Sequence, residues 1–253
     1  MDGKDDGSRL TMKKTILCYG NSNTWGYVPR KANDANLPIE RYKKNERWSG
    51  ILQSSLGNDF EVVEEGLNSR TTNINYKYPP DRNGKTYLPP CLYSHAPIEL
   101  VILSLGANDL KPEFNRSAAD ICAGLSELIE IIQSSNYGRG MQQAPRILIL
   151  SQPIPLPIST NFIDKSESTI FADITKKAKA LIPLYANLAK EKGCFFLDVA
   201  REIDVSNIDG MHLDKESHKK LAQLITEKIK ACLTEQPVME NNNERDYSLR
   251  SKL

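Results

Sequence analysis

Thr15-Ile16-Leu17-Cys18-Tyr19-Gly20-Asn21-Ser22-Asn23-Thr24-Trp25-Gly26 is the stretch on which the fold turns. Its first half is apolar without alternation, as a strand is when helices cover both faces of a parallel sheet. Its second half is short, polar and glycine-flanked, and sets a serine just beyond the strand's carboxyl end. Four further runs read as strands in the same way: Phe60–Glu64, Leu100–Leu105, Ile147–Ser151 and Cys194–Val199. The segments between them carry the helical period. Ile121, Leu125, Leu128, Ile129 and Ile132 fall on one stripe, with Ser117 and Asp120 spaced as a capping box at its start. Leu221, Ile225, Ile229 and Cys232 form a second stripe, with Lys219, Lys220, Lys228 and Lys230 largely off it. A third helix is expected over Phe171–Lys192, stopping at Gly193, and Pro183 inside it predicts a kink or a break. A shorter helix around Trp48–Leu56 joins the first two strands. Strands alternating with helices imply right-handed crossovers and an α/β fold with a parallel sheet.

The chain has 253 residues, 40% apolar and 26% charged, which suits one soluble domain with a sizeable core. Its net charge of +1 argues against nucleic acid or an anionic membrane as partner. No apolar run approaches the roughly 20 residues of a membrane span. Residues 1–12 read as a disordered polar extension without the apolar segment of a secretory signal, and translation starting at Met12 would spare the domain. The domain is expected over 13–233, followed by a disordered polar tail over 234–253 that contains Asn241-Asn242-Asn243. The five cysteines, Cys18, Cys91, Cys122, Cys194 and Cys232, are scattered and show no pair at metal-ligand spacing. They read as small buried hydrophobes in an intracellular protein.

Three connections are unusually long: Tyr27–Arg47, Thr71–Pro97 and Gln152–Thr169. Long ordered loops in a compact domain are usually functional. The middle one holds Tyr76, Tyr78, Tyr87 and Tyr93 among several prolines and reads as an ordered wall.

In an open parallel sheet, ligands bind beyond the carboxyl ends of the strands. Ser22 follows the first strand, Gly66-Leu67-Asn68-Ser69-Arg70 the second, and Gly106-Ala107-Asn108-Asp109 the third, so three motifs converge on one rim. Serine is a weak nucleophile without a base in hydrogen-bond reach. Of the three histidines, His212 suits that role because Asp209 precedes it by three residues. That spacing can bring a carboxylate to the imidazole, fix its tautomer and stabilise the imidazolium. The competing reading makes Asp209 a cap of the following helix and His212 a surface residue. His218, among lysines, reads as solvated, and His95 as structural. Oxyanion donors are expected from the backbone N–H groups of Ser22 and Ser69 and the side-chain amide of Asn108, which otherwise reads as an ordinary turn residue.

These blocks resemble the SGNH (GDSL-type) serine hydrolases over nearly the whole chain, from about Lys13 to Leu233. Gly20-Asn21-Ser22-Asn23 resembles the nucleophile block, Gly66 to Thr72 the oxyanion glycine block, Gly106 to Asp109 the Gly-x-Asn-Asp block, and Asp209 to His212 the Asp-x-x-His block. Thr24-Trp25-Gly26, Glu64-Glu65-Gly66-Leu67 and Arg70-Thr71-Thr72-Asn73 are similar to its arylesterase/acyltransferase (perhydrolase) branch. The resemblance implies a three-layer α/β/α flavodoxin-like fold with a central five-stranded parallel sheet, an ester substrate with a small acyl group, no metal or other cofactor, and association into a homo-oligomer. It makes Ser22, Asp209 and His212 the catalytic residues, and it places Trp25 in the acyl pocket, excluding water in favour of an alcohol acceptor. Trp25, Arg70 and Asn23 are taken as substrate-binding residues, with packing the alternative for Trp25; Arg70, next to Ser69, is also placed to brace the oxyanion loop, with a surface salt bridge the alternative. Asn21 stands where the family usually has Asp, a structural hydrogen-bonder. Ser69 stands where many members have glycine, and serves if its backbone angles are ordinary.

An α/β-hydrolase reading fails because its Gly-x-Ser-x-Gly elbow sits in mid-chain, and here Thr24 fills the last position. A nucleotide-binding reading lacks both Gly-Lys-Ser/Thr and Gly-x-Gly-x-x-Gly. A non-catalytic carbohydrate- or partner-binding module on the same fold has no need to keep Ser22, Asp209, His212 and Asn108 together. Ser251-Lys252-Leu253 matches the peroxisomal import signal, which has meaning only in a eukaryotic source; the cytoplasm is the expected location otherwise.

Overall fold

Five parallel strands, β1 (Lys14–Gly20), β2 (Phe60–Gly66), β3 (Ile98–Ser104), β4 (Arg146–Leu150) and β5 (Phe195–Leu197), form one sheet in the order β2-β1-β3-β4-β5. The computed structural model describes residues 13–34, 37–76, 80–159 and 168–234. The expected extension over 1–12, Tyr78, and the tail beyond Thr234 with its Ser251-Lys252-Leu253 lie outside the described residues.

The period of two along each strand sends alternate side chains to opposite layers. Leu17, Tyr19, Val101, Leu103, Ile147 and Ile149 pack against α3 (Gly84–Ser94), α4 (Ala118–Gln133) and α5 (Ser168–Glu191). Ile16, Cys18, Leu100, Ile102, Leu148 and Leu150 pack against α2 (Trp48–Leu56) and α6 (Lys215–Thr234). The result is the three-layer α/β/α arrangement with the strand order of flavodoxin-like folds. The helix expected around Trp48–Leu56 has those bounds. The Ser117–Asp120 capping box forms in both directions. A single turn, α1 (Ser22–Trp25), follows β1, so Ser22 stands at the carboxyl edge of the sheet.

Two expectations built on proline are corrected. α5 runs through Pro183 without a break, because Pro183 and Lys179 lie on its solvent face, where water can serve the carbonyl that loses its partner. The Thr71–Pro97 connection, read as a loop, contains α3 with Pro89 and Pro90 inside it. Both prolines face solvent, as do Lys85 and Thr86, four residues before them, while Leu88, Cys91 and Leu92 are buried against the sheet. Burial of that apolar stripe outweighs the lost hydrogen bonds.

His218 corrects a third. It is fully buried rather than solvated: Nδ1 accepts the Trp48 N–H at 3.2 Å, and the ring meets Tyr42 edge-on at 5.2 Å. The lysines around it mark the outer face of α6, and His218 lies on the inner one. Burial, opposed by Asp214 and reinforced by His212 and Arg47, pushes its pKa down from 6.5 to about 4. Between those values the unfolded chain binds a proton that the native protein refuses, so stability is full above pH 6.5 and falls as pH drops toward 4, by up to about 3 kcal/mol. Denaturant unfolding at pH 7 and pH 4.5 is expected to show this loss. A His218→Gln variant should be weaker at pH 7 but flatter across the same interval, and identical pH slopes for the two proteins would exclude His218 as the source.

Candidate active site

Ser22 is held by the turn it begins. The Asn21 side chain caps α1, Oδ1 accepting the Asn23 N–H at 3.0 Å, while its Nδ2 donates to Gln152 Oε1 at 2.9 Å. Asn in place of the family's usual Asp therefore keeps the acceptor for the cap and adds a donor toward the end of β4. Gly66, in register with Gly20, lets this turn settle on β2: a Cβ on Gly66 would stand 2.2 Å from the Trp25 nitrogen.

His212 Nε2 lies 3.0 Å from Ser22 Oγ, and its Nδ1 lies 2.7 Å from Asp209 Oδ2. The other carboxylate oxygen of Asp209 accepts the N–H groups of Met211 and His212, both at 2.9 Å. Burial raises the Asp209 pKa, but these hydrogen bonds and the His212 charge outweigh it and hold the carboxyl below its ordinary value. Asp209 is not the cap of α6, a role Asp214 takes by accepting the Ser217 N–H at 2.8 Å. Tyr27 stacks on the His212 ring at 4.1 Å, tilted by 22°. One face of the imidazole is thus covered, and rotation away from Ser22 is blocked.

Asn108 completes the group. Its Nδ2 donates to the Arg70 carbonyl at 3.1 Å, which uses one amide hydrogen and leaves a second. The neighbouring Asp109 is fully buried. It accepts the Thr72 N–H at 3.1 Å and the Thr72 hydroxyl at 2.6 Å, and it pairs with Arg116 at 2.7 Å. This ties the loop after β3 to the loop after β2. A narrow cavity of about 80 Å³ opens beside Ser22 and His212, lined also by Asn108, Leu110, Pro153, Pro155, Ile174 and Met211.

Residues 18–220 match the GDSL-like Lipase/Acylhydrolase family. The chain belongs to this family. Among solved structures, it is 36% identical to the aryl esterase of M. smegmatis, covering 87% of this chain and 99% of that one with a TM-score of 0.75. It is 33% identical to Est24, a carbohydrate acetylesterase from Sinorhizobium meliloti, with the same coverage and TM-score. Among curated proteins it is similar to an acetylxylan esterase from Xylanibacter ruminicola, 25% identical over 231 residues. That match takes 85% of this chain but only 43% of the acetylxylan esterase. All three are named as esterases, and the two solved structures share the fold found here.

Several of the remaining expected site residues of this family member sit differently from expectation. Ser69 occupies the third position of a turn closed by the Arg70 N–H on Leu67 O at 3.1 Å, with φ 64°. Its backbone is left-handed rather than ordinary, a conformation that favours glycine. Arg70 has the position expected of a brace for the turn after β2 and is not a surface ion pair. It is 2% exposed, donates through Nη1 to the carbonyls of Gly20 (3.2 Å) and Glu65, and lies over Tyr19 at 4.1 Å. Asn23 lines the cavity, but both its polar atoms are engaged: Oδ1 accepts the Leu213 N–H at 3.0 Å and Nδ2 donates to Met211 O at 3.4 Å. It pins the histidine turn to α1. Trp25 does not line the cavity. Arg41 covers it at 5.0 Å, donating to its carbonyl, and Tyr27 flanks it at 6.4 Å.

Sequence reasoning missed Tyr27, Gln152, Asp109 with Arg116, and Lys111, which lines the cavity and donates to the Tyr76 hydroxyl at 2.6 Å. The prolines directly after β4 were the available signal for the cavity wall. Asn23→Ala strips the histidine turn of two hydrogen bonds and leaves the buried Leu213 N–H unpaired, so a loss of about 2 kcal/mol is expected in denaturant unfolding. A loss within 0.5 kcal/mol would show that the turn is held by other contacts.

Proposed function

We propose that this protein is a serine esterase that hydrolyses small acyl groups from carboxylic esters through an acyl-enzyme on Ser22. The observation that carries the proposal is the unbroken Ser22–His212–Asp209 hydrogen-bond chain, at 3.0 and 2.7 Å, facing a cavity that Asn108 also lines. His212 Nε2 takes the Ser22 proton as Oγ attacks the ester carbonyl, and the imidazolium is stabilised by Asp209. The second Asn108 amide hydrogen, with the N–H groups of Ser22 and Ser69, supports the oxyanion. Collapse of the tetrahedral intermediate passes the proton from His212 to the leaving alkoxide, which departs as an alcohol. Water then enters, gives its proton to His212 and attacks the acyl group. The carboxylic acid leaves, and the proton returns to Ser22.

The 80 Å³ cavity and its apolar lining favour an acyl group of a few carbons. The relatives named as a carbohydrate acetylesterase and an acetylxylan esterase favour the same acyl class. An alcohol in place of water would give acyl transfer by the same steps. Trp25 lies outside the cavity, so the water exclusion expected of it has no support, and Trp25→Ala should leave the ratio of transfer to hydrolysis in an alcohol–water mixture unchanged.

Hydrolysis of p-nitrophenyl acetate, compared with longer p-nitrophenyl esters, tests the proposal. Ser22→Ala should lose roughly 10⁴-fold or more in kcat. Asn108→Ala should lose roughly 10²–10³-fold, about 3–4 kcal/mol of barrier, with its fold intact. kcat/KM should fall steeply beyond short acyl chains. Equal turnover by wild type and Ser22→Ala would remove Ser22 as the nucleophile. A folded wild type inert toward every ester would favour a binding module.

A further inference from the structure

On the far side of the oxyanion turn, three potential metal ligands converge. Glu65 is the penultimate residue of β2, while Cys91 lies in α3 and His95 ends it. Cys91 and His95 are four residues apart, which places them on one face of the helix. That Cys-x-x-x-His spacing is a metal-ligand spacing that a search for cysteine pairs passes over. Glu65 Oε1 stands 2.9 Å from His95 Nε2, and one ligand atom from each of the three residues lies within 4.8 Å of the others.

We propose that Glu65, Cys91 and His95 bind one divalent ion of the zinc class, which clamps α3 to the end of β2. One nitrogen, one sulfur and one carboxylate oxygen suit a borderline-soft ion, and they do not suit magnesium or calcium. Ligand atoms around a tetrahedral zinc stand roughly 3.3–3.7 Å apart, given bonds of about 2.0–2.3 Å. The His95–Glu65 contact therefore opens slightly and Cys91 Sγ closes in. Binding is a ligand exchange without oxidation. The Cys91 thiol gives its proton to solvent as the sulfur–metal bond forms, and His95 and Glu65 give up their mutual hydrogen bond. The carboxylate and thiolate charges then balance the ion.

The surroundings support a built site. Cys91 is 1% exposed and Glu65 and His95 are half-buried, so the three ligands are held inside the fold rather than on its surface. The Tyr87 hydroxyl donates to Glu65 Oε1 at 3.4 Å and orients the carboxylate. Glu65 also lines an open cleft of about 560 Å³, so one of the three ligands borders solvent-filled space. The Glu65 carbonyl accepts from Arg70, which donates as well to Gly20 beneath the Ser22 turn. An ion that fixes Glu65 thus also stiffens the strut under the nucleophile, whatever reaction that nucleophile performs.

The test uses the full-length, tag-free chain, stripped with chelator and titrated with zinc chloride by calorimetry and thermal unfolding, then loaded with Co²⁺. We expect one ion per chain, a Tm that rises with zinc concentration, and an ultraviolet thiolate-to-cobalt charge-transfer band. Cys91→Ser should abolish the band. His95→Gln, at a half-buried position, should weaken zinc binding at least tenfold and cancel most of the Tm shift. It decides the question alone if the cysteine variant does not fold. Absence of stoichiometric binding to the folded wild type overturns the proposal. So does wild-type affinity in the variants, which would place the metal on other groups.

Discussion

The site depends on the close approach of two backbones at the ends of β1 and β2. Gly20 and Gly66 sit opposite each other in the ladder, and neither has room for a side chain: a Cβ on Gly20 would stand 2.0 Å from Thr24 Oγ1, and one on Gly66 2.2 Å from the Trp25 nitrogen. With both positions bare, α1 lies directly on the edge strand. The Gly20 carbonyl is then free to receive the Leu67 N–H at 3.1 Å and the buried Arg70 guanidinium. The turn that begins at Ser22 and the turn over Leu67–Arg70 are thereby fixed to one backbone atom, through a backbone bond and the buried Arg70 side chain.

From that junction the other parts are tied on by buried polar struts. Asn23 joins α1 to the histidine turn, Asp109 with Arg116 joins the loop after β3 to Thr72, and the Asn21–Gln152 pair reaches the end of β4. Each strut spans elements far apart in sequence, and each is shielded from water, where a hydrogen bond costs most to break. Arg47 does the same for the long β1–α2 connection. It forms a two-point pair with Glu64 at 2.8 and 2.5 Å and binds the Tyr42 carbonyl at 2.9 Å. The segment that delivers Tyr27 to His212 is therefore anchored at its far end.

Much of this was legible in the sequence because it follows from local pattern. Unbroken apolar runs marked the strands, the stripe of Ile121 to Ile132 marked α4 down to its capping box, and the turn residues beyond the strands named the rim. What was not legible depends on which way a residue faces. Pro89, Pro90 and Pro183 read as breakers until their solvent exposure shows that water can serve the carbonyls they orphan. His218 read as solvated because lysines surround it in sequence, though the helix turns them outward and the histidine inward. Ser69 read as an acceptable glycine substitute, although the turn demands a left-handed backbone. Arg70 was legible as a brace from its place beside Ser69, whereas Asn23 sat in the right block with no spacing to tell a strut from a ligand contact.

The cavity wall and the hydrogen-bond chain come from different stretches of polypeptide. Ser22, Asp209 and His212 stand on the turns after β1 and before α6, whereas Pro153, Pro155 and Ser159 belong to the connection that follows β4. That connection meets the histidine turn through a backbone bond from Leu156 N–H to Gly210 O at 2.9 Å, a contact that no side chain specifies. Ile154 and Leu156 pack against the two cores and Ser159 is fully buried, so Pro153 and Pro155 are the wall positions that can change while Ser22, Asp209 and His212 keep their places. For protein engineers, these two positions form a small cassette: a library confined to them would reshape the cavity without touching the Ser22–His212–Asp209 hydrogen-bond chain.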